Sequence, residues 1–135
     1  MNPKEFTLSV FIAAVGTFMS AWLGGWDAAL RVLVVLMVID YATGFLGAIK
    51  NHKVDSEIMF WGGVRKGIIL AVVAVAVLLD QMVGNASPIL RTLAIYFYVA
   101  REGISVTENL GILNVPLPPA ISRVLSQLQE KGEGK

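Results

Sequence analysis

Cysteine is absent from this 135-residue chain, and histidine occurs once, at His52. No disulfide frame, thiolate metal site or thiol nucleophile can form. A lone imidazole with no ligand-type neighbours reads as a solvated loop residue, not a metal ligand. Charge is scarce as well: 16% of residues are Asp, Glu, Lys or Arg, against roughly 25% in soluble domains. The formal net charge of +1 leaves no electrostatic footprint for nucleic acid. Gly62-Gly63-Val64-Arg65-Lys66-Gly67 lacks the spacing and the Ser/Thr of a phosphate loop. No nucleophile–base pair and no metal-ligand spacing appears either. These gaps exclude most enzyme classes and predict neither cofactor nor metal.

Apolar residues fill the space that charge leaves. They make up 56% of the chain, with a mean hydropathy of +0.68. A soluble domain of this size keeps roughly a third of its chain surface wet, so it has no way to hide so much apolar area. The composition therefore predicts an all-α integral membrane protein.

A membrane-crossing helix needs about 20 mostly apolar residues. Four stretches qualify as expected spans, over residues 6–26, 28–49, 67–84 and 88–106. The first is uncharged up to Trp22 and Trp26, which sit where interfacial aromatic anchors belong. Its leader carries one lysine offset by Glu5, and its apolar run exceeds that of a signal peptide, so it reads as a retained span. Gly24-Gly25-Trp26-Asp27 and Gly84-Asn85-Ala86-Ser87-Pro88 read as tight turns. The polar connection from Lys50 to Lys66 holds four of the eleven basic residues. The positive-inside rule makes it cytoplasmic and places both termini on the same side. Arg65 and Lys66 are then expected as interfacial anchors. Residues 1–106 form a transmembrane domain in this reading, and residues 107–135 a cytoplasmic tail. Within the tail, Ile121, Val124, Leu125 and Leu128 recur at helical spacing, predicting an amphipathic helix over about 119–131. It would lie on the inner membrane surface or pack on neighbouring helices.

Polar residues inside the spans carry the functional signal. Ala13, Thr17 and Ala21 form a small-residue row in the first span, with Gly16 and Ser20 beside them. Such rows let membrane helices approach closely, either within one chain or between copies. Asp40 shares its face with Gly44 and Gly47, leaving room for a close neighbour. In the fourth span Arg91, Tyr98, Glu102, Ser105 and Asn109 fall within about 40° of one line. A polar stripe of that kind avoids lipid and faces either protein or water. Asp40 and the Arg101/Glu102 pair lie toward the cytoplasmic half, so an Asp40–Arg101 ion pair is expected. Asp80, near the outer end of its span, would be reached by Arg31 or Arg91. A charge near a span centre costs roughly 2.5–3.5 kcal/mol, whereas an apolar residue returns about 0.3–0.6. The charged spans therefore need partners, within one chain or in an oligomer.

Asp40-Tyr-Ala-Thr43-Gly44, Ser56, Gly62-Gly63-Val64-Arg65-Lys66, Glu102-Gly-Ile-Ser105-Val-Thr-Glu108-Asn109, Gly111 and Val115-Pro116 follow one another in a characteristic order. In this order and spacing the chain resembles the bacteriophage holins, in the branch that includes clostridial toxin-secretion holins. Arg101 departs from the pattern, which usually has asparagine before the glutamate. The resemblance implies a non-enzymatic homo-oligomer in the host's cytoplasmic membrane. Its lesions would release or activate an endolysin with no direct contact required, and membrane lipid and further copies of the chain are its expected physical partners. A selective channel or small transporter, a toxin-export protein and a structural membrane partner are the competing readings.

Overall fold

The computed structural model describes residues 1–134 as five helices joined by short turns: α1 (Pro3–Trp22), α2 (Ala28–Lys50), α3 (Ser56–Val83), α4 (Ile89–Ile112) and α5 (Pro119–Gly132). Local chemistry sets each boundary. Asn2 and Glu5 form a reciprocal capping box at the start of α1, with Pro3 in its first turn. Gly24 and Gly25 then take φ of 85° and 101°, conformations that favour glycine, and turn the chain into α2. Asp27 caps α2 by accepting the Leu30 N–H, and Asp55 caps α3 through Glu57 and Ile58. Gly84, with φ 75°, closes α3 in the left-handed conformation.

Three helices, α1, α2 and α3, are long and apolar enough to cross a membrane. The expected fourth span, α4, is not among them by composition. Helix α4 has 24 residues but carries Arg91, Arg101, Glu102 and Glu108. Boundaries shift too. Helix α3 starts at Ser56, not near Gly67, because the Asp55 cap and the apolar Ile58–Trp61 stretch extend the helix through Gly62-Gly63. Much of the expected polar loop is therefore helix. Helix α4 likewise runs past residue 106 to Ile112.

The core lies between α2, α3 and α4. Leu30, Leu33, Val73 and Ile95 are fully buried there, with Met37 and Val99 beside them. Gly44 and Gly47 of α2 face α4 closely: a Cβ on either would lie 3.6 Å from Asn109 and 3.4 Å from Ile112, respectively. That is the close neighbour expected from the sequence. By contrast, α1 buries none of its residues and hangs from the α1–α2 turn. Gly16 meets no other atom within 4 Å of where a Cβ would sit. Ala13, Gly16, Thr17, Ser20 and Ala21 thus do not pack the first helix against its own chain, and the within-chain reading of that row is corrected.

The tail helix takes one of its two expected placements. Helix α5 does not trail away from the bundle but folds back along α4. Leu125 is buried against Gly103, and Gly132 abuts the Phe97 backbone. Lys131 and Gly134 border Ser87, Pro88 and Ile89 at the opposite end of α4. Of the two placements open to an amphipathic helix, packing on a neighbour wins because its apolar stripe finds a groove floored by glycine. A Cβ at Gly132 would sit 2.5 Å from the Phe97 backbone nitrogen and Cα, atoms that cannot yield. Gly132→Ala should therefore release the end of α5 and cost about 1–3 kcal/mol. Faster hydrogen exchange confined to residues 119–132 would show it.

Candidate functional site

Two polar layers cross the bundle, separated by about 16–21 Å of apolar packing counted along the helices. The inner layer is an ion cluster. The Lys66 ammonium donates to Asp40 Oδ2 at 2.7 Å and to Glu102 Oε2 at 2.6 Å, joining α3 to α2 and α4. Side-chain exposure is 17% for Lys66, 14% for Asp40 and 7% for Glu102. Asn109 completes the cluster by donating to Asp40 Oδ1, the Asp40 carbonyl and Thr43 Oγ1 at 3.0–3.1 Å. Ser105 lines the adjoining cavity, and Tyr98 packs on the core. At the same end, Lys50 Nζ donates to the Ile112 carbonyl at 2.6 Å. This interaction closes the C-terminus of α4 with a cation from α2.

The outer layer is a latch centred on Arg91. Its Nε donates to the Leu23 carbonyl at 2.6 Å, and its terminal nitrogens donate to Asp27 at 2.7 and 3.2 Å and to the Gly25 carbonyl at 3.0 Å. Asp80 reaches across from α3 to accept the Leu90 and Arg91 N–H groups, both at 2.9 Å, and Asn85 Nδ2 at 2.8 Å. Pro88 provides no side-chain cap for α4, so a carboxylate from the preceding helix satisfies that N-terminus instead. No buried side-chain nitrogen or oxygen among the described residues lacks a partner. The polar atoms of both layers are therefore paid for internally, as an apolar environment demands.

Several expectations change in detail. Arg101 does not pair with Asp40. Its guanidinium lies over the Phe97 ring, 5.7 Å from the centroid, and Lys66 occupies the position expected for it. Lys66 is accordingly an interior cation rather than an interfacial anchor. Arg65, its neighbour, is exposed, as are Trp22 and Trp26. Asp80 is served by the Arg91 backbone, while the Arg91 side chain turns to Asp27. Arg31 stays exposed. Within one subunit the expected stripe faces the other helices, with Arg91 and Glu102 only 5% and 6% exposed.

Sequence reasoning missed the part played by Lys66, although a signal existed. Asp40 precedes the end of α2 by ten residues (40 to 50), Lys66 follows the start of α3 by ten (56 to 66), and Glu102 precedes the end of α4 by ten (102 to 112). Equal offsets put all three at one depth, a match visible only once α3 begins at Ser56. Asp27 was missed because it reads first as a turn residue and helix cap.

This all-helical arrangement, with internally satisfied charges and three helices long and apolar enough to span a bilayer, defines a membrane protein. The family model described as the bacteriophage holin family matches residues 17–130, and the chain belongs to that family. It is 33% identical over 115 residues to a probable holin of Bacillus phage phi105, covering 85% of this chain and 84% of that protein. An uncharacterized 14.9 kDa protein of Clostridium perfringens is 40% identical over 120 residues, covering 89% of this chain and 91% of the relative. An uncharacterized protein of Clostridium acetobutylicum is 34% identical over 124 residues, covering 92% and 99%. No solved structure matches.

Two tests follow from the layers. Lys66→Met leaves two carboxylates facing each other without their cation. Breaking a buried pair in this way costs about 3–5 kcal/mol, so thermal unfolding in detergent should shift strongly downward. Asp27 lies in the α1–α2 turn, and its hydrogen bond with Arg91 holds its carboxyl below the ordinary aspartate value. A depressed folded value contributes stability above the unfolded pKa of about 3.9, and that contribution is lost as pH falls through the folded value. Asp27→Asn keeps a helix cap but removes the charge. Its melting temperature should therefore fall less steeply with acid below about pH 4 than that of the unaltered chain.

Proposed function

We propose that this chain acts as a holin: copies accumulate in the bacterial cytoplasmic membrane, assemble, and open lesions that release or activate an endolysin without touching it. The observation that carries the reading is the Lys66–Asp40–Glu102 cluster, set in a bundle whose family is that of the holins. One ammonium against two carboxylates leaves a formal excess of one negative charge in an apolar setting, which favours rearrangement toward water or toward other copies.

In the resting subunit, α1 to α4 cross the bilayer, with α4 made tolerable by its partners on α2 and α3. The basic α2–α3 connection and the amino terminus face the cytoplasm, and α5 returns along α4 from that side. The unattached α1 offers its Ala13–Thr17–Ala21 and Gly16–Ser20 rows to another copy. In the open assembly the stripe of Arg91, Tyr98, Glu102, Ser105 and Asn109 turns toward water. Helix α5 supports a water-facing surface too. Arg123, Ser126, Gln127 and Glu130 are exposed beside α4, where bare lipid would disfavour them.

Expression in bacteria, following membrane potential and culture density, separates this reading from its rivals. A holin gives abrupt depolarisation and lysis dependent on a co-expressed endolysin. A selective channel gives stable conductance compatible with growth, and a structural partner changes neither. Glu102→Leu leaves a neutral Lys66–Asp40 pair, so insertion should persist while lysis is delayed or lost. Unchanged lysis timing would remove Glu102 from the mechanism.

A further inference from the structure

A cavity of about 460 Å³ opens between α2, α3 and α4 on the side of the α2–α3 connection. Its polar walls hold the ion cluster of Lys66, Asp40 and Glu102, in which Lys66 engages both carboxylates. Three further cations line the same space: Lys53 from the connection, Arg65 from α3 and Arg101 from α4. The ion pairs among the described residues are Lys66–Asp40, Lys66–Glu102 and Arg91–Asp27. None of them engages Lys53, Arg65 or Arg101. The remaining acid on the cavity wall, Asp55, already accepts two N–H groups at the start of α3. The cavity thus gathers four cations against three carboxylates, and three of those cations, on three separate segments, have no ion-pair partner among the described residues.

We infer that this cavity binds a phosphate group, and that an anionic phospholipid headgroup supplies it. Guanidinium groups match phosphate oxygens with paired donors, and such contacts are stronger than neutral hydrogen bonds. Phe97 holds the Arg101 guanidinium from one face, which limits the freedom lost on binding. In the proposed topology, on which this inference rests, the cavity mouth lies where the basic connection meets the cytoplasmic membrane surface. Basic pockets between helices on the cytoplasmic side suit anionic headgroups, and that leaflet provides them. Apolar Met59 and Ile69 also line the space, giving the upper part of an acyl chain a surface to follow. A phosphate seated there would bridge α3 and α4 beside the ion cluster and favour the closed arrangement of the three helices.

The test uses the full chain in neutral detergent and reads lipid binding by native mass spectrometry, independently of any lytic activity. Short-chain phosphatidylglycerol should bind saturably, one molecule per chain, and phosphatidylcholine far more weakly. The double variant Arg65→Gln/Arg101→Gln should weaken phosphatidylglycerol binding at least tenfold with helix content unchanged. Arg123→Gln, a cation on α5 outside the cavity, should leave it intact. Inorganic phosphate separates the two sources of the same chemistry. Failure of millimolar phosphate to displace the lipid supports the headgroup, and full displacement assigns the site to the free ion. Equal binding of the two lipids, or undiminished binding by the double variant, would overturn the proposal.

Discussion

The fold is organised around one ammonium group. Lys66 holds Asp40 on α2 and Glu102 on α4 at 2.7 and 2.6 Å, and α3 makes its closest polar contacts through it. Apolar packing alone gives a membrane bundle little orientation, because lipid tails are as apolar as leucine. A single cation that must satisfy two carboxylates at one depth removes that freedom. It fixes which faces of α2, α3 and α4 meet, and it fixes their relative heights. Asn109 then ties α4 to α2 beside the same carboxylate, so rotating either helix breaks several interactions at once.

The Arg91 latch constrains the other end differently. It fastens a turn instead of joining three helix faces: the guanidinium grips the Leu23 and Gly25 carbonyls and Asp27. This is why Gly24 has to be glycine. Its φ of 85° favours the residue, and a Cβ there would lie 2.5 Å from Arg91 Nε. Anchored at the turn and nowhere along its length, α1 is the element freest to make contacts outside the chain. Order in the α2–α4 core and freedom in α1 are thus two results of where the charges were placed.

The existence of the helices was legible from hydropathy, and the reason α4 needs partners was legible from its charges. Gly44 and Gly47 announced a close neighbour, and α4 fills that place through Asn109 and Ile112. The pairing of charges was not legible, because it depends on register. Reading the helix after His52 as beginning near Gly67 put Lys66 at a membrane boundary, where a lysine is unremarkable. Beginning it at Ser56 puts the same lysine level with two carboxylates. The Asp55 cap was the local signal for that boundary, but it sits in a polar stretch that otherwise reads as a loop. The destination of α5 was similarly open: its periodicity shows an apolar stripe, whereas the groove at Gly103 exists only after α4 is placed.

The two layers also bear on how a small bundle could destabilise a bilayer. The hydrocarbon core is about 30 Å thick, whereas the layers lie about 16–21 Å apart along the helices. Both layers cannot reach the headgroups of an undeformed bilayer at once. While the bundle stays closed the mismatch is hidden, because the exposed residues of α2 from Val32 to Ile49 and of α3 from Ile68 to Leu79 are apolar or aromatic. On the proposed mechanism the helices separate, and the charges then lose their mutual partners and need water within the thickness of the membrane. Local thinning or a water-filled opening then becomes the lower-energy response. On that mechanism, the bonds that make one chain tolerable to lipid are the bonds whose loss makes an assembly of copies intolerable to it.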